Sequence, residues 1–340
     1  MSAARAARNS CDSACATGTT TTEDSLSDPT WDARSRQRTI SLLDRLAPQE
    51  GYNLTALPDV RFLRSNRPLK RTPVLYDPGI VIVCQGRKRG FFGDRVYLYD
   101  EQHYLAVSVP VPFTMETDAS ADKPLLAIYM HLDFKVAADL MLQIDQRGGQ
   151  PPAAPKGMIS SPVDARLGAS VLRFLEAMDD PLEAGLLGPA LVRELYFRVL
   201  TGDQGGSIRA ALAAHGQFGK ISHALRRIHS SFDEALDVGQ LAREAGMSVP
   251  AFHSHFKTVT STSPIQYLKS IRLHQARLLM VRNGVTAAAA AGEVGYESAS
   301  QFSREFKRLF GLTPAEETRR MKESFAVPPV HRGAVFVSSH

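Results

Sequence analysis

Two segments near the carboxyl end repeat one another, and no other feature restricts the possible folds as much. "EAGMSVPAFHSHFK" (244–257) stands beside "EVGYESASQFSREFK" (293–307), each ending in Phe-x-x-x-Phe-Lys. Residues four apart share a helix face, so Phe252 with Phe256, and Phe302 with Phe306 and Phe310, form two short aromatic stripes. Ser248 and Ser298 stand where a helix start needs a cap, and Gly311 stands where the second helix must stop. Before each stripe lies a small-residue helix and a glycine turn: Leu241 and Ala245 then Gly246 in the first copy, "VTAAAAAGEVG" ending at Gly295 in the second.

Helix, glycine turn and second helix make a helix-turn-helix. The residues left outward are Pro250, Ala251, His253, Ser254 and Lys257 in the first copy. In the second they are Ala299, Ser300, Ser303, Arg304, Lys307 and Arg308. Small residues and donors on an exposed helix let its backbone approach base edges in a major groove. One such pair would also fit any two-helix hairpin with an aromatic core. Two copies joined by a strut point to DNA.

The strut is "SPIQYLKSIRLHQARLLMVRNG" (263–284). Pro264 suits a first turn, Asn283-Gly284 a stop, and Ile265, Leu268, Ile271 and Leu279 mark an expected apolar face. About 18 helical residues span roughly 27 Å, near the roughly 34 Å between successive major-groove faces on one side of a duplex.

Charge agrees with this reading. The chain has 340 residues and a net charge of +5, and residues 218–325 hold 15 Lys/Arg against 10 Asp/Glu, so the whole excess sits there. Double-stranded DNA is the expected partner. The hydrophobic fraction of 44% permits a sizeable core, and no run is long and apolar enough for a membrane helix. Without a signal pattern, the expected location is cytoplasmic.

Upstream the texture changes. Residues 1–35 read as a disordered tail containing Cys11 and Cys15, and "RTISLLDRLAPQEG" (38–51) as a short amphipathic helix. From Val60 to Asp133, short β-rich runs such as "GIVIVCQ" and "RVYLY" alternate with turn signals, among them Gly93-Asp94, as in an antiparallel barrel or sandwich. The expected organisation is a sensing domain over 36–145, then a linker and helical segment over 146–217. A DNA-binding domain follows over 218–325, with a tail over 326–340. "LGPALVRELYFRVLTG" (187–202) aligns Leu191, Leu195 and Val199, as either a homodimer surface or a strut packed on the barrel.

The duplicated region, roughly 222–321, resembles the AraC/XylS family of bacterial transcription regulators, most closely through "VGYESASQFSREFKRLFGLTP". The resemblance implies seven helices in two helix-turn-helix subdomains joined by a long helix. It puts base-facing roles on Pro250, His253 and Ser254, and on Ala299, Ser300, Ser303 and Arg304. RNA polymerase is the implied protein partner, and activation the implied outcome. The family's Tyr-Arg pair after the final proline is replaced by Glu317 and Thr318, which leaves the anchoring of the last helix open.

"RTPVLYDPGIVIVCQGRKRGFFGDRVYLYDEQHYLAVSVPVP" and "METDASADKPLLAIYMHLD" are similar to the N-terminal domain of one AraC subgroup. That similarity implies a cupin-like barrel sensing a small molecule, so the fold class is α+β and multidomain, with flanking helices and an all-α carboxyl half. The effector is not specified. "QGRKRGFF" (85–92) suits an anionic ligand or, more simply, a solvent-facing hairpin. A cupin-type metal enzyme with a partner-docking helical domain is the alternative. His103 and His131 lie 28 apart with no His-x-His, so neither metal nor cofactor is expected, nor enzymatic activity. Cys84, inside an apolar run, reads as core, with a sensing thiol as the second possibility.

Overall fold

A computed structural model describes residues 31–149, 153–213 and 216–324. The first helix, α1 (Ala33–Leu46), starts earlier than expected because the Asp32 side chain accepts from the backbone N–H of Ser35, and Trp31 is buried beside Gly168. The expected tail therefore cannot extend to residue 35. Cys11, Cys15 and the proposed tail at 326–340 lie outside the described residues.

Nine strands follow in sequence: β1 (Gly51–Leu54), β2 (Val60–Ser65), β3 (Leu69–Tyr76), β4 (Gly79–Gln85), β5 (Arg87–Phe92), β6 (Arg95–Asp100), β7 (His103–Val107), β8 (Val111–Asp118) and β9 (Leu125–His131). After α2 (Phe134–Gln146), β10 (Met158–Pro162) returns to pair with β7. The sheet is antiparallel in the order β1-β2-β9-β4-β7-β6-β5-β8-β3, an open half-barrel.

Strand alternation divides the sheet between two cores. Phe62, Ile80, Ile82, Cys84, Leu126, Ile128 and Met130 face outward onto helices. Leu63, Val81, Val83, Leu105, Met115 and Tyr129 face the lumen. The outer face is covered by α1 and by α3 (Ala165–Met178), α4 (Pro181–Leu186), α5 (Gly188–Thr201) and α6 (Gly205–Leu212). Leu195 and Val199 of α5 are buried there, which makes this helix the strut of the two readings. The segment after 145 thus shares a core with the sheet instead of linking two bodies.

The same alternation corrects the reading of "QGRKRGFF" as a solvent hairpin. Arg87 is exposed and Arg89 pairs with Glu116 and Asp118, but Lys88 points into the lumen with Gly90 and Phe92 and is fully buried.

Seven helices complete the described chain: α7 (Gly216–Ser230), α8 (Val238–Glu244), α9 (Val249–Thr260), α10 (Pro264–Asn283), α11 (Ala287–Glu293), α12 (Ala299–Phe310) and α13 (Pro314–Ser324). At 20 residues, α10 spans about 30 Å. Its expected apolar stripe is only partly right, because Ile265 is exposed while Tyr267, Leu273, His274, Ala276 and Arg277 are buried. The reason is that α10 packs against both helical subdomains and also the half-barrel. Tyr267 Oη donates to the Pro110 carbonyl (2.7 Å) and Arg277 Nη1 to that of Pro73 (3.4 Å).

Candidate nucleic-acid interface

Each reading helix is built by the same local chemistry. In α9, the Ser248 hydroxyl accepts from the Ala251 N–H, and Pro250 occupies the first turn. Phe252 and Phe256 are wholly buried, with ring centroids 5.5 Å apart, and Phe256 meets Tyr267 edge-on. Anchoring one side this firmly fixes what the other side presents. Pro250, Ser254 and Lys257 are exposed, and Ala251 and His253 half-buried.

Lys257 has a second neighbourhood. With His255, Thr258 and Ser261 it lines a cleft of about 840 Å³ whose far wall is Gly93, Arg95, Tyr97 and Lys156 of the half-barrel. The first reading helix therefore ends at the domain boundary.

In α12 the Ser298 hydroxyl accepts from the Gln301 N–H, and Phe302, Phe306 and Phe310 are buried in a core shared with α10 and α11. Ala299, Ser300, Ser303, Arg304, Lys307 and Arg308 are all exposed. The structure thus gathers the six on one solvent-facing surface.

Glu305 is an acid buried in the same helix. Burial pushes its carboxyl up, but Lys269 Nζ (2.7 Å), Tyr296 Oη (2.8 Å) and Gln301 Nε2 (3.2 Å) outweigh this and hold it below the usual range. The carboxylate is satisfied internally, so the outer face stays positive.

Two residues beyond the sequence reading organise the interface. Arg272 of α10 donates to the carbonyls of Phe232 (2.6 Å) and Glu234 (2.8 Å) in the first subdomain, and of Gly295 (2.9 Å) in the second turn. One guanidinium fork therefore sets the second helix-turn-helix against the first. Nothing in the sequence distinguishes it from a surface arginine.

Glu317 is the other. It is fully buried, and Arg277 Nη1, equally buried, lies 3.2 Å away, with Arg320 closing the other side at 2.8 Å. The departure from Tyr-Arg is thus an alternative anchor: α13 is fastened to α10 through charge. Burial lowers Arg277 to about 10, against the pull of Glu317.

In the sensing half, burial raises the Cys84 thiol far above its usual range, so it packs as a neutral core group. His103 is engaged by Asp100 (3.0 Å), and His131 is pushed down to about 4 by burial and then by Arg61. Among the described residues, no three of His, Cys, Asp and Glu form a set able to hold a metal ion, and no helix is long and apolar enough to cross a membrane.

Comparison with known proteins now places the chain. The family described as AraC-type transcriptional regulator N-terminus matches residues 56–207, and a helix-turn-helix domain family matches residues 241–320. The virulence regulon transcriptional activator VirF of Yersinia enterocolitica is 26% identical over 168 residues, covering 48% of this chain and 60% of VirF. The RCS-specific HTH-type transcriptional activator RclR of Escherichia coli is 36% identical over 89 residues, covering 26% of this chain and 31% of RclR. The chain therefore spans less than two thirds of either relative. Unsaturated fatty acid-bound ToxT from Vibrio cholerae shares the fold, with a TM-score of 0.52 at 14% identity over 82% of this chain and all of ToxT. With both halves matched in the expected order, the chain belongs to the AraC family of transcription regulators.

Proposed function

We propose that this protein is a sequence-specific DNA-binding transcription regulator, acting as an activator. In this reading its half-barrel takes up a small-molecule effector and its two helix-turn-helix units engage a promoter. One observation carries it: two buried aromatic anchors present two exposed helix faces, and Arg272 ties the units together at a fixed relation. Pro250, His253 and Ser254, and Ala299, Ser300, Ser303 and Arg304, are the base-facing residues. Lys257, Lys307 and Arg308 meet phosphates. RNA polymerase is the protein partner at the promoter, the site of action is the cytoplasm, and the chain works by binding and not by catalysis.

Effector coupling has a physical route, because α10 touches the half-barrel at Pro73 and Pro110 and carries both reading units. A ligand that alters those contacts changes the disposition of the DNA-binding surface. ToxT with its fatty acid supports a small organic effector for this fold.

The test is affinity for the upstream region of the protein's own gene, measured as salt is raised. Phosphate contacts release counterions, so log K should fall linearly with log salt, by about 0.9 per phosphate contacted. Salt-insensitive binding, or none, overturns the proposal.

A further inference from the structure

The first reading helix ends pressed against the half-barrel. Val259 is buried in the same apolar cluster as Phe92 and Met158 of the sheet. A β-carbon added at Gly93, in the turn between β5 and β6, would stand 2.9 Å from Ser261 Oγ. One added at Gly157 would stand 3.2 Å from the Val259 carbonyl oxygen. Glycine at these two places lets the half-barrel close on the last turn of α9, so the wall is held beside the helix.

That wall carries positive charge. The cleft of about 840 Å³ between it and α9 is lined by Arg95 and Lys156 on the half-barrel side and by Lys257 on the helix. Asp94 is the one carboxylate among its lining residues. Arg95 and Lys156 are exposed and also line a smaller cleft of about 320 Å³, so they stand on the ridge between the two. Among the described residues, neither Arg95 nor Lys257 has an ion-pair partner. The Lys156 ammonium donates to the neutral amide oxygen of Gln204, at 3.2 Å.

The exposed stripe of α9 leads into this cleft. Pro250, Ser254, Thr258 and Ser261 recur every three or four residues, and the last two line the cleft with Lys257. The 12 residues of α9 span about 18 Å, whereas a major groove is about 12 Å wide. A helix entering the groove by its amino end therefore has its last turn over a phosphate ridge, with the half-barrel wall just beyond. Small-molecule pockets are enclosed and mostly apolar, whereas exposed, unneutralised cations along a rim match a sugar–phosphate backbone.

We infer that the half-barrel is itself part of the DNA-binding surface. Arg95 and Lys156 take phosphates of the duplex flanking the groove read by α9, continuing the contact that Lys257 begins. This rests on the regulator reading above and extends its footprint from the helical domain onto the sensing domain.

Full-length Arg95→Gln and Lys156→Gln, singly and together, test this on the upstream region of the protein's own gene. Both side chains are exposed, so urea midpoints should match wild type. The slope of log K against log salt should become shallower by about 1 for each variant and about 2 for the pair. Preference among operator sequences should not change, because phosphate contacts carry no base readout. Arg95→Lys and Lys156→Arg keep the charge and should keep the wild-type slope. Hydroxyl-radical footprinting should show backbone protection beyond the α9 half-site in the wild type, lost in the double variant. A double variant with the wild-type slope and footprint overturns the inference and leaves the cleft to a small anion or to nothing. A slope lost equally in the charge-keeping variants also overturns it, since the residues then act by packing. In both cases the wild type still binds DNA and the regulator reading stands; a wild type with no affinity for DNA sinks both.

Discussion

Tyr267, in the first turn of α10 and edge-on to Phe256 of the first reading unit, donates its hydroxyl proton to the Pro110 carbonyl of the half-barrel at 2.7 Å. His229 Nε2 lies 2.7 Å from the Tyr267 hydroxyl oxygen. Since the tyrosine proton goes to Pro110, the histidine must donate, which fixes the Nε2–H tautomer and leaves Nδ1 bare. Among the described residues, His229 Nδ1 indeed has no hydrogen-bond partner. A three-member chain therefore runs from the first subdomain through α10 into the sensing half. Tyr267→Phe leaves a buried carbonyl and a buried N–H unpaired and should destabilise by about 2–3 kcal/mol. An unfolding midpoint in urea indistinguishable from wild type would show that the contact contributes nothing.

The same chain makes stability depend on pH. Burial lowers His229 from its usual 6.5 to about 4, so between those values the folded state binds fewer protons than the unfolded chain. The His229 contribution is therefore complete above about pH 6.5 and is lost as pH drops towards about 4; His131 acts in the same direction over the same window, whereas Asp77, raised to about 8 by burial, acts in the opposite one. The difference in stability between wild type and His229→Phe, followed from pH 7.5 to 4.5, isolates the histidine and should shift steadily in favour of the variant as pH falls. A difference constant across that range would contradict the arrangement.

These contacts also show what the sequence could and could not convey. The phenylalanine stripes, Ser248 and Ser298 caps and glycine stops follow local rules with a fixed spacing, and they stand where the pattern put them. Lys88 was misread because a lysine between two arginines looks solvated, whereas strand alternation turned that one residue inward. Arg277, Glu317 and Tyr267 were invisible as contacts because each finds its partner across a domain or subdomain boundary. Ile265 was placed in the core of α10 by a one-sided pattern that fails for a helix enclosed on three sides.

Gly295 and Gly311 separate two reasons for a glycine. Both have left-handed backbones, with φ of +81° and +77°. A β-carbon at Gly311 meets nothing within 4 Å, whereas one at Gly295 would stand 2.5 Å from the Asp233 carbonyl oxygen and 3.0 Å from Arg272 Nη2. Gly311→Ala should cost about 1 kcal/mol from backbone strain alone. Gly295→Ala should cost more and also weaken DNA binding, because it pushes apart the Arg272 clamp. Equal losses of stability and unchanged DNA affinity in both variants would remove the clamp from the account.

Arg304 and Lys257 should differ in kind. Arg304 stands exposed among small residues on α12, where a guanidinium can reach a base edge, so Arg304→Ala should cost about 1–3 kcal/mol and relax sequence preference. Lys257 is at the last turn of α9 beside the half-barrel, so Lys257→Ala should weaken binding to all sequences alike and reduce the salt slope by about 1. Binding measured on a library of operator variants at several salt concentrations distinguishes the two. Unchanged site preference in Arg304→Ala would mean that another face of α12 meets the bases.

The Arg277–Glu317 pair gives the most direct test of how the last helix is held. Both side chains are wholly buried, so removing one leaves an uncompensated charge in the interior: Glu317→Leu should cost about 3–5 kcal/mol. Arg277→Met alone strands Glu317 with only the half-exposed Arg320, and it also frees the Pro73 carbonyl. The double variant Arg277→Met, Glu317→Leu removes both charges and replaces them with apolar groups of similar size. It should recover most of the loss, since such replacements are often neutral or stabilising. What it cannot recover is the bond to Pro73, so the double variant should regain stability while its DNA affinity responds less to effector than the wild type's. Urea denaturation of the four proteins closes the cycle. Additive losses, with the double variant less stable than either single one, would show that the two residues do not hold each other in place.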